Sequence, residues 1–167
     1  MDINQLTKLY KVRKLNQMDG LSILELQKSN PLYFDYCPPE PNIQNILNDM
    51  TSLPPGKDIE DLYYVGFFEE ENLVAILHFI ISFPDKDTIY IGLFMVDRNY
   101  SGRGVGSKII NDTLVCFRRE GFLKARLGYM KGNPQAEAFW EKCGFVDNFI
   151  ETENEQGKVI ILEKNLN

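Results

Sequence analysis

The chain has 167 residues and a formal net charge of −6, with 44% apolar and 25% charged residues. This length fits a single domain, residues 1–167, that can bury a core without disulfides or metal ions. The negative charge argues against nonspecific binding to nucleic acid or to a membrane, and it mildly favours cationic partners. No apolar run reaches membrane-spanning length, the N-terminal stretch is polar, and the three cysteines lack CxxC spacing. We therefore expect a cytoplasmic protein with reduced thiols and no metal.

In the first half of the chain, the patterns predict two helices followed by three consecutive strands. Residues 8–16 alternate imperfectly and predict a first strand, while residues 17–29 and 43–50 have partial apolar stripes typical of helices. The proline-rich and aromatic-rich residues between those helices, 30–42, predict a loop. Strand-like apolar runs follow, separated by two short polar connectors that suit hairpins, at 62–69, 73–83 and 88–96.

In the second half, helices and strands alternate. The predicted elements are a helix at 105–120, a strand at 124–130, a helix at 134–143, and closing strands around 145–151 and 158–166. Together with the first half, this order predicts a mixed α/β (α+β) fold built around one sheet.

The stretch "SGRGVGS", residues 101–107, lies where a predicted strand ends and a helix begins. Unpaired amides and the positive end of the helix dipole make such a point an anion site, and glycines let a phosphate approach the backbone. Arg103 and Lys108 can add positive charge from the flanks. The spacing GxGxG matches neither the dinucleotide pattern GxGxxG nor a P-loop, because no lysine follows the last glycine. Taken alone, the glycines leave a plain turn and a phosphate loop equally open.

A second motif, "GNPQAEAFWEKCGF" at residues 132–145, decides between them. Here Asn133 can cap a helix, Pro134 suits its first turn, and Gly144 ends it. The two motifs in this order resemble the GNAT superfamily of acyl-CoA-dependent N-acyltransferases over nearly the whole chain. Val96, Gly104 and Gly106 match the pyrophosphate loop of that family; the later helix is matched by Asn133, Ala136, Gly144 and Phe145.

The resemblance implies a GNAT fold: a mixed, mostly antiparallel sheet of six to seven strands with helices on both faces and a splay between the two central strands. It also implies an N-acetyltransferase that uses acetyl-CoA and no metal. An amine, on a small molecule or a peptide, would attack the thioester directly in a ternary complex, and a main-chain N–H would stabilise the oxyanion. The residues expected to bind the cosubstrate are Phe94, Met95, Val96, Ser101, Gly102, Arg103, Gly104, Val105, Gly106, Ser107, Asn133, Phe139 and Trp140.

The sequence departs from the family at two positions, 101 and 140. Ser101 replaces the glutamine or arginine of the loop, and Arg103 could compensate. Trp140 occupies the place of a tyrosine proposed to protonate the leaving thiolate, but an indole cannot serve as an acid. Tyr129, on the strand across the splay, is therefore a candidate donor, with core packing as the alternative. Tyr90 stands where some relatives carry a glutamate base, although a phenol is a poor base.

His78 is the single histidine of the chain. Counting "PDKD" as a four-residue hairpin loop pairs Ile81 with Tyr90 and His78 with Leu93, which places His78 on the opposite side of the sheet from Tyr90. A histidine on an apolar strand is more often a satisfied core residue than a functional one, and with His78 in the core the amine's proton would pass to a weak base or a water chain.

The acceptor site is expected near the first two helices, where Tyr33, Asp35 and Tyr36 could receive a cation with an apolar body. A rigid aromatic plug over the sheet is an equal alternative for these residues. A non-catalytic acyl-CoA-binding or regulatory module with the same fold also stays open, as does a homodimer. The sequence does not identify the acceptor amine.

Overall fold

One seven-stranded sheet organises the chain, and the computed structural model describes all of residues 1–167. The strand order across the sheet is β1-β2-β3-β4-β5-β7-β6. All neighbouring pairs are antiparallel except β4 and β5, which are parallel. The strands are β1 (Lys11–Lys14), β2 (Leu62–Glu69), β3 (Asn72–Ile80), β4 (Thr88–Val96), β5 (Lys124–Met130), β6 (Val146–Asn154) and β7 (Gly157–Asn165).

Helices cover both faces of this sheet, so the predicted fold class is confirmed. The helices are α1 (Gly20–Lys28), α2 (Pro31–Tyr36), α3 (Ile43–Asp49), α4 (Val105–Arg119) and α5 (Pro134–Lys142). A core of 22 buried residues lies on the side of α4 and α5, and a second core of 9 buried residues lies on the side of α1 and α3. None of the helices combines the length and the apolar character that crossing a lipid bilayer requires.

Strands β2, β4 and β5 begin and end at the predicted residues. The prediction of a loop at 30–42 is wrong in part, because α2 forms there. Proline fixes the backbone at the φ of a first helical turn, so Pro31 can start a short helix in a segment whose composition indicates a loop.

A β-bulge in β4 changes which side chains share a face of the sheet. His78 pairs with Leu93 as predicted, but the next pairs are Phe79 with Ile91 and Ile80 with Tyr90, so Gly92 is an extra residue. The predicted pairing of Ile81 with Tyr90 is therefore wrong. Since one extra residue reverses the alternation of the strand, Tyr90 and Leu93 lie on the same face.

The parallel strands β4 and β5 pair with each other over a short stretch and then separate. Thr88–Ile91 of β4 pair with Lys124–Leu127 of β5, and beyond them the two strands have no mutual pairs. The residues of β5 after Leu127 remain paired with β7, as far as Met130. The sheet therefore has a gap between its two central strands, which is the splay that the family resemblance implied.

A substitution at Gly66 tests how tightly the face of the sheet beneath α1 is packed. A Cβ at Gly66 would lie 2.7 Å from Phe68 and 2.8 Å from both Leu15 and Leu73. We expect Gly66→Ala to lower the free energy of unfolding by about 1–3 kcal/mol, as overpacking does. Gly20→Ala is the matched control, because Gly20 begins α1 and its Cβ would meet Ile43 at an ordinary 3.5 Å. The control should be neutral or stabilising in a denaturant titration. Equal stability of the two variants would contradict the packing described here.

Candidate active site

The glycine loop presents free backbone amides at the start of α4. Gly104 precedes the helix with a left-handed φ of 74°, and no side chain caps the helix. Gly102 has a φ of 78°, and a Cβ at either glycine would have no atom within 4 Å. The first amides of a 15-residue helix thus face open space with the positive end of its dipole. This arrangement suits a phosphate.

Gly106 has a packing role besides the cosubstrate contact predicted for it. A Cβ there would lie 3.2 Å from Phe139 and 3.3 Å from Val96, so this glycine faces the protein. Its missing side chain allows α4 to approach β4 and α5. At Gly102 and Gly104 an added side chain would enter open space instead.

A cleft of about 740 Å³ runs from this loop along the end of β4. It brings together nearly all of the residues predicted to bind the cosubstrate: Phe94, Met95, Val96, Ser101, Gly102, Gly104, Val105, Gly106, Ser107, Asn133, Phe139 and Trp140. Arg103 does not line the cleft. The cations that do are Arg98 and Lys142, which the motif analysis missed because they lie outside the loop.

An aromatic cluster forms one wall of the cleft. The Trp140 ring is 8% exposed and packs edge-on against Phe139 and Phe145, at centroid distances of 4.9 and 5.3 Å. Phe94 stacks on Phe139 at 5.8 Å. Asn133 is buried and caps α5, since its Oδ1 accepts a hydrogen bond from the Ala136 amide. These contacts hold α5 against β4.

The turn between α1 and α2 is attached to the end of β4. The Asn30 Nδ2 donates to the Val96 carbonyl at 2.9 Å, and the Arg98 amide donates to the Ser29 hydroxyl at 3.1 Å. Both side chains line the cleft. The first two helices are therefore fixed beside the open edge of β4.

The gap between β4 and β5 forms a smaller cavity of about 220 Å³, lined by both Tyr90 and Tyr129. A Cβ at Gly128 would lie 3.1 Å from the Tyr90 hydroxyl, so this glycine makes room for the phenol. Burial raises the pKa of Tyr90. Burial, followed by a hydrogen bond to Glu137, raises the pKa of Tyr129 to about 12. Both phenols therefore stay protonated near neutral pH and can donate hydrogen bonds.

A third cavity, of about 620 Å³, lies beneath α2 and α3 and shares Tyr90, Gly92 and Leu93 with the lining of the gap. It is called the acceptor cavity after the acceptor site predicted near these helices. Tyr33 is the one residue that lines all three cavities. Asp35 and Tyr36 line none of them, so the structure does not bring these two predicted acceptor residues together with Tyr33. Acidic side chains of the acceptor cavity come instead from Glu40 and Asp49.

His78 lines the acceptor cavity together with Tyr90, so the prediction that they lie on opposite sides of the sheet is wrong. The bulge at Gly92 is the cause. Gly92 also makes room for the imidazole, because a Cβ there would lie 2.6 Å from the His78 Nδ1. Burial lowers the pKa of His78, against a smaller opposing effect of a hydrogen bond to the Asp49 backbone. A neutral imidazole near neutral pH follows.

Solved structures share this fold. An acetyltransferase from Thermus thermophilus superposes with a TM-score of 0.72 at 16% identity, covering 93% of this chain and 96% of the other. The ribosomal-protein-S18-alanine N-acetyltransferase of Escherichia coli gives 0.68 at 13% identity, over 95% and 94% of the two chains. The PaiA N-acetyltransferase of Thermoplasma acidophilum, solved in complex with coenzyme A, gives 0.66 at 17% identity, over 93% and 98%.

A sequence comparison with curated proteins found no match. A sequence profile of the Acetyltransferase (GNAT) family, however, matches residues 23–145, which include α2 to α5, most of α1 and both of the motifs described above. This match covers well over half of the chain, and it agrees with the splayed sheet and the glycine loop. The chain belongs to the GNAT acetyltransferase family.

Proposed function

We propose that the protein is an N-acetyltransferase that transfers the acetyl group of acetyl-CoA to a primary amine by direct attack in a ternary complex. The observation that carries this proposal is the arrangement of the three cavities. The cleft shares Phe94 and Trp140 with the lining of the gap, the acceptor cavity shares Tyr90 and Gly92 with it, and Tyr33 lines all three. Two substrates bound in such cavities would meet in the gap, and holding reactants in line is a large source of rate enhancement.

The cleft fits coenzyme A in charge and in shape. The free amides of residues 102–107 suit the pyrophosphate, and Arg98 and Lys142 add positive charge to the lining. Beyond Ile91, β4 has no strand partner on the β5 side, so its backbone can pair with an extended amide-containing arm. The apolar wall formed by Phe139 and Trp140 suits the methylenes of that arm.

Acetyl-CoA supplies the acetyl group as a thioester, whose C–S bond breaks as the new C–N bond forms. His78 is placed to accept the proton that the neutral amine loses on becoming an amide, because its imidazole is neutral and lines the acceptor cavity. A thiolate is more basic than an imidazole, so the sulfur can take that proton back from His78 directly or through solvent. The products are the acetylated amine and coenzyme A with a free thiol.

Tyr90 and Tyr129 are proposed to stabilise the leaving sulfur by hydrogen bonds. Their raised pKa values make them unsuitable as bases, but a phenol that stays protonated remains a donor. This assignment changes the role of Tyr90 from the base position suggested by the resemblance to that of a donor. A non-catalytic acyl-CoA-binding module would need no base in the acceptor cavity, so the position of His78 favours the enzyme.

Substitutions at Gly104 test whether the glycine loop binds the pyrophosphate of coenzyme A. We expect Gly104→Asp to weaken coenzyme A binding by about a hundredfold or more, because a carboxylate would face the pyrophosphate across desolvated space. Gly104→Asn is the matched control: asparagine and aspartate both tolerate a left-handed backbone, so the two variants differ only in charge. Calorimetric titration measures both. Equal affinities in the two folded variants would contradict the proposed loop.

A substitution at His78 tests its role as the base that accepts the amine proton. We expect His78→Gln to lower kcat by about 10²-fold or more while coenzyme A affinity is unchanged. Titratable groups facing His78 are Tyr64 of β2, Tyr90 of β4 and Asp49 of α3. Because a base must be unprotonated and the pKa of His78 is lowered, the wild-type kcat/KM should fall as the pH drops through an inflection below about 6.5. The variant should lack this inflection and keep the alkaline rise of the amine. A fully active variant would exclude His78.

A substitution at Tyr129 tests whether its hydroxyl stabilises the leaving sulfur. Tyr129→Phe should lower kcat by about 10- to 100-fold, since a hydrogen bond to a charged sulfur contributes about 1.5–3 kcal/mol. Acetyl-CoA affinity should change little, and the loss should be smaller with a thioester of a more acidic thiol, which needs less stabilisation. Unchanged rates in a folded variant would leave Tyr129 with a packing role only.

A further inference from the structure

The acceptor cavity carries negative charge that no residue of the protein neutralises. Its lining contains Asp49 and Glu40 and neither lysine nor arginine. Neither carboxylate takes part in any ion pair of the structure. Partial exclusion of water raises the pKa of Asp49, which a cation bound nearby would reverse. The cavity is therefore complementary to a positively charged ligand.

The two carboxylates do not line the gap in which the thioester would lie. Tyr90 and Gly92 line both the acceptor cavity and the gap, whereas Asp49 and Glu40 line the acceptor cavity alone. A carboxylate beside the attacking nitrogen would favour its protonated form, which is not a nucleophile. The acids are thus better placed to bind a second cationic group of the acceptor than to bind the nitrogen that reacts.

Buried polar groups and aromatic rings also lie in or beside this cavity. Gln27 is 5% exposed and lines the cavity, next to the Tyr64 hydroxyl, which is buried without a partner of hydrogen-bonding geometry. Buried polar groups are seldom left unpaired, so a ligand that donates hydrogen bonds here gains stability. The rings of Tyr33 and Phe34 add faces that attract cations.

One edge of the cavity is closed by a contact between distant segments. The Gln156 side chain, in the β6–β7 turn, donates to the Pro38 carbonyl, which follows α2. Both residues line the cavity. The contact joins its two walls on that side, which favours a short, compact acceptor over an extended chain.

We propose that the acceptor is a small amine with a second positively charged group, such as a linear α,ω-diamine. This inference rests on the acetyl transfer proposed above. One nitrogen, uncharged, faces His78 and the gap; the other, as an ammonium, lies between Asp49 and Glu40.

The test compares 1,4-diaminobutane with n-pentylamine, in which a methyl group replaces the second amino group, and with a short peptide that has a free N-terminus. Longer diamines, each with its methyl analogue, extend the comparison. We expect kcat/KM to favour the diamine by about tenfold or more, equivalent to about 1.4 kcal/mol. Asp49→Asn should bring the diamine-to-monoamine ratio close to one. Glu25→Gln, which makes the same charge change on α1, away from the cavity lining, is the control and should keep the ratio.

The outcomes separate this inference from the proposed function. Equal use of diamine and monoamine, a better peptide substrate, or a ratio unchanged in Asp49→Asn would overturn the diamine inference and leave acetyl transfer intact. Turnover of no amine at all would contradict the proposed function. In that case calorimetry with the protein saturated by coenzyme A decides the inference: tighter binding of 1,4-diaminobutane than of n-pentylamine, lost in Asp49→Asn, supports it, and equal binding overturns it.

Discussion

The separation of β4 from β5 is the constraint on which the rest of the site depends. The two strands share only the pairs from Thr88–Lys124 to Ile91–Leu127, and beyond the last of them the edge of β4 faces the gap. Hydrogen bonds to β3 and β7 on the outer sides hold the strands apart, so the gap is a property of the whole sheet. An unpaired strand edge inside a domain is costly unless something pairs with it. A ligand with amide groups is the natural partner.

Two glycines adapt this gap to particular side chains. Glycine weakens a strand, and its presence in one often marks a bulge or a close approach. Gly92 provides the bulge that places Tyr90 on the same face of the sheet as His78, and its missing Cβ leaves space for the imidazole. Gly128 does the same for the Tyr90 phenol. Burial then acts in opposite directions on the two rings: it lowers the pKa of the histidine and raises that of the tyrosine. Each stays in its neutral form, one as an acceptor of protons and the other as a donor of hydrogen bonds.

Most of the fold could be predicted from the sequence, because long apolar runs bounded by turn residues determine β2, β4 and β5 directly. The glycine loop could also be predicted, since its spacing and position between strand and helix carry the signal. The register around His78 could not, because the extra residue at Gly92 leaves the apolar run uninterrupted. Nor could the acids of the acceptor cavity. Asp49 ends a short helix and Glu40 lies among prolines, and only tertiary packing brings them to the same cavity while Asp35 stays outside it.

A crystal structure of the protein with acetyl-CoA tests the central claim most directly. The account predicts the pyrophosphate on the amides of residues 102–107, the arm along the unpaired edge of β4, and the thioester in the gap beside Tyr33. A cosubstrate bound elsewhere, or a gap closed by further pairing of β4 with β5 in the complex, would contradict it.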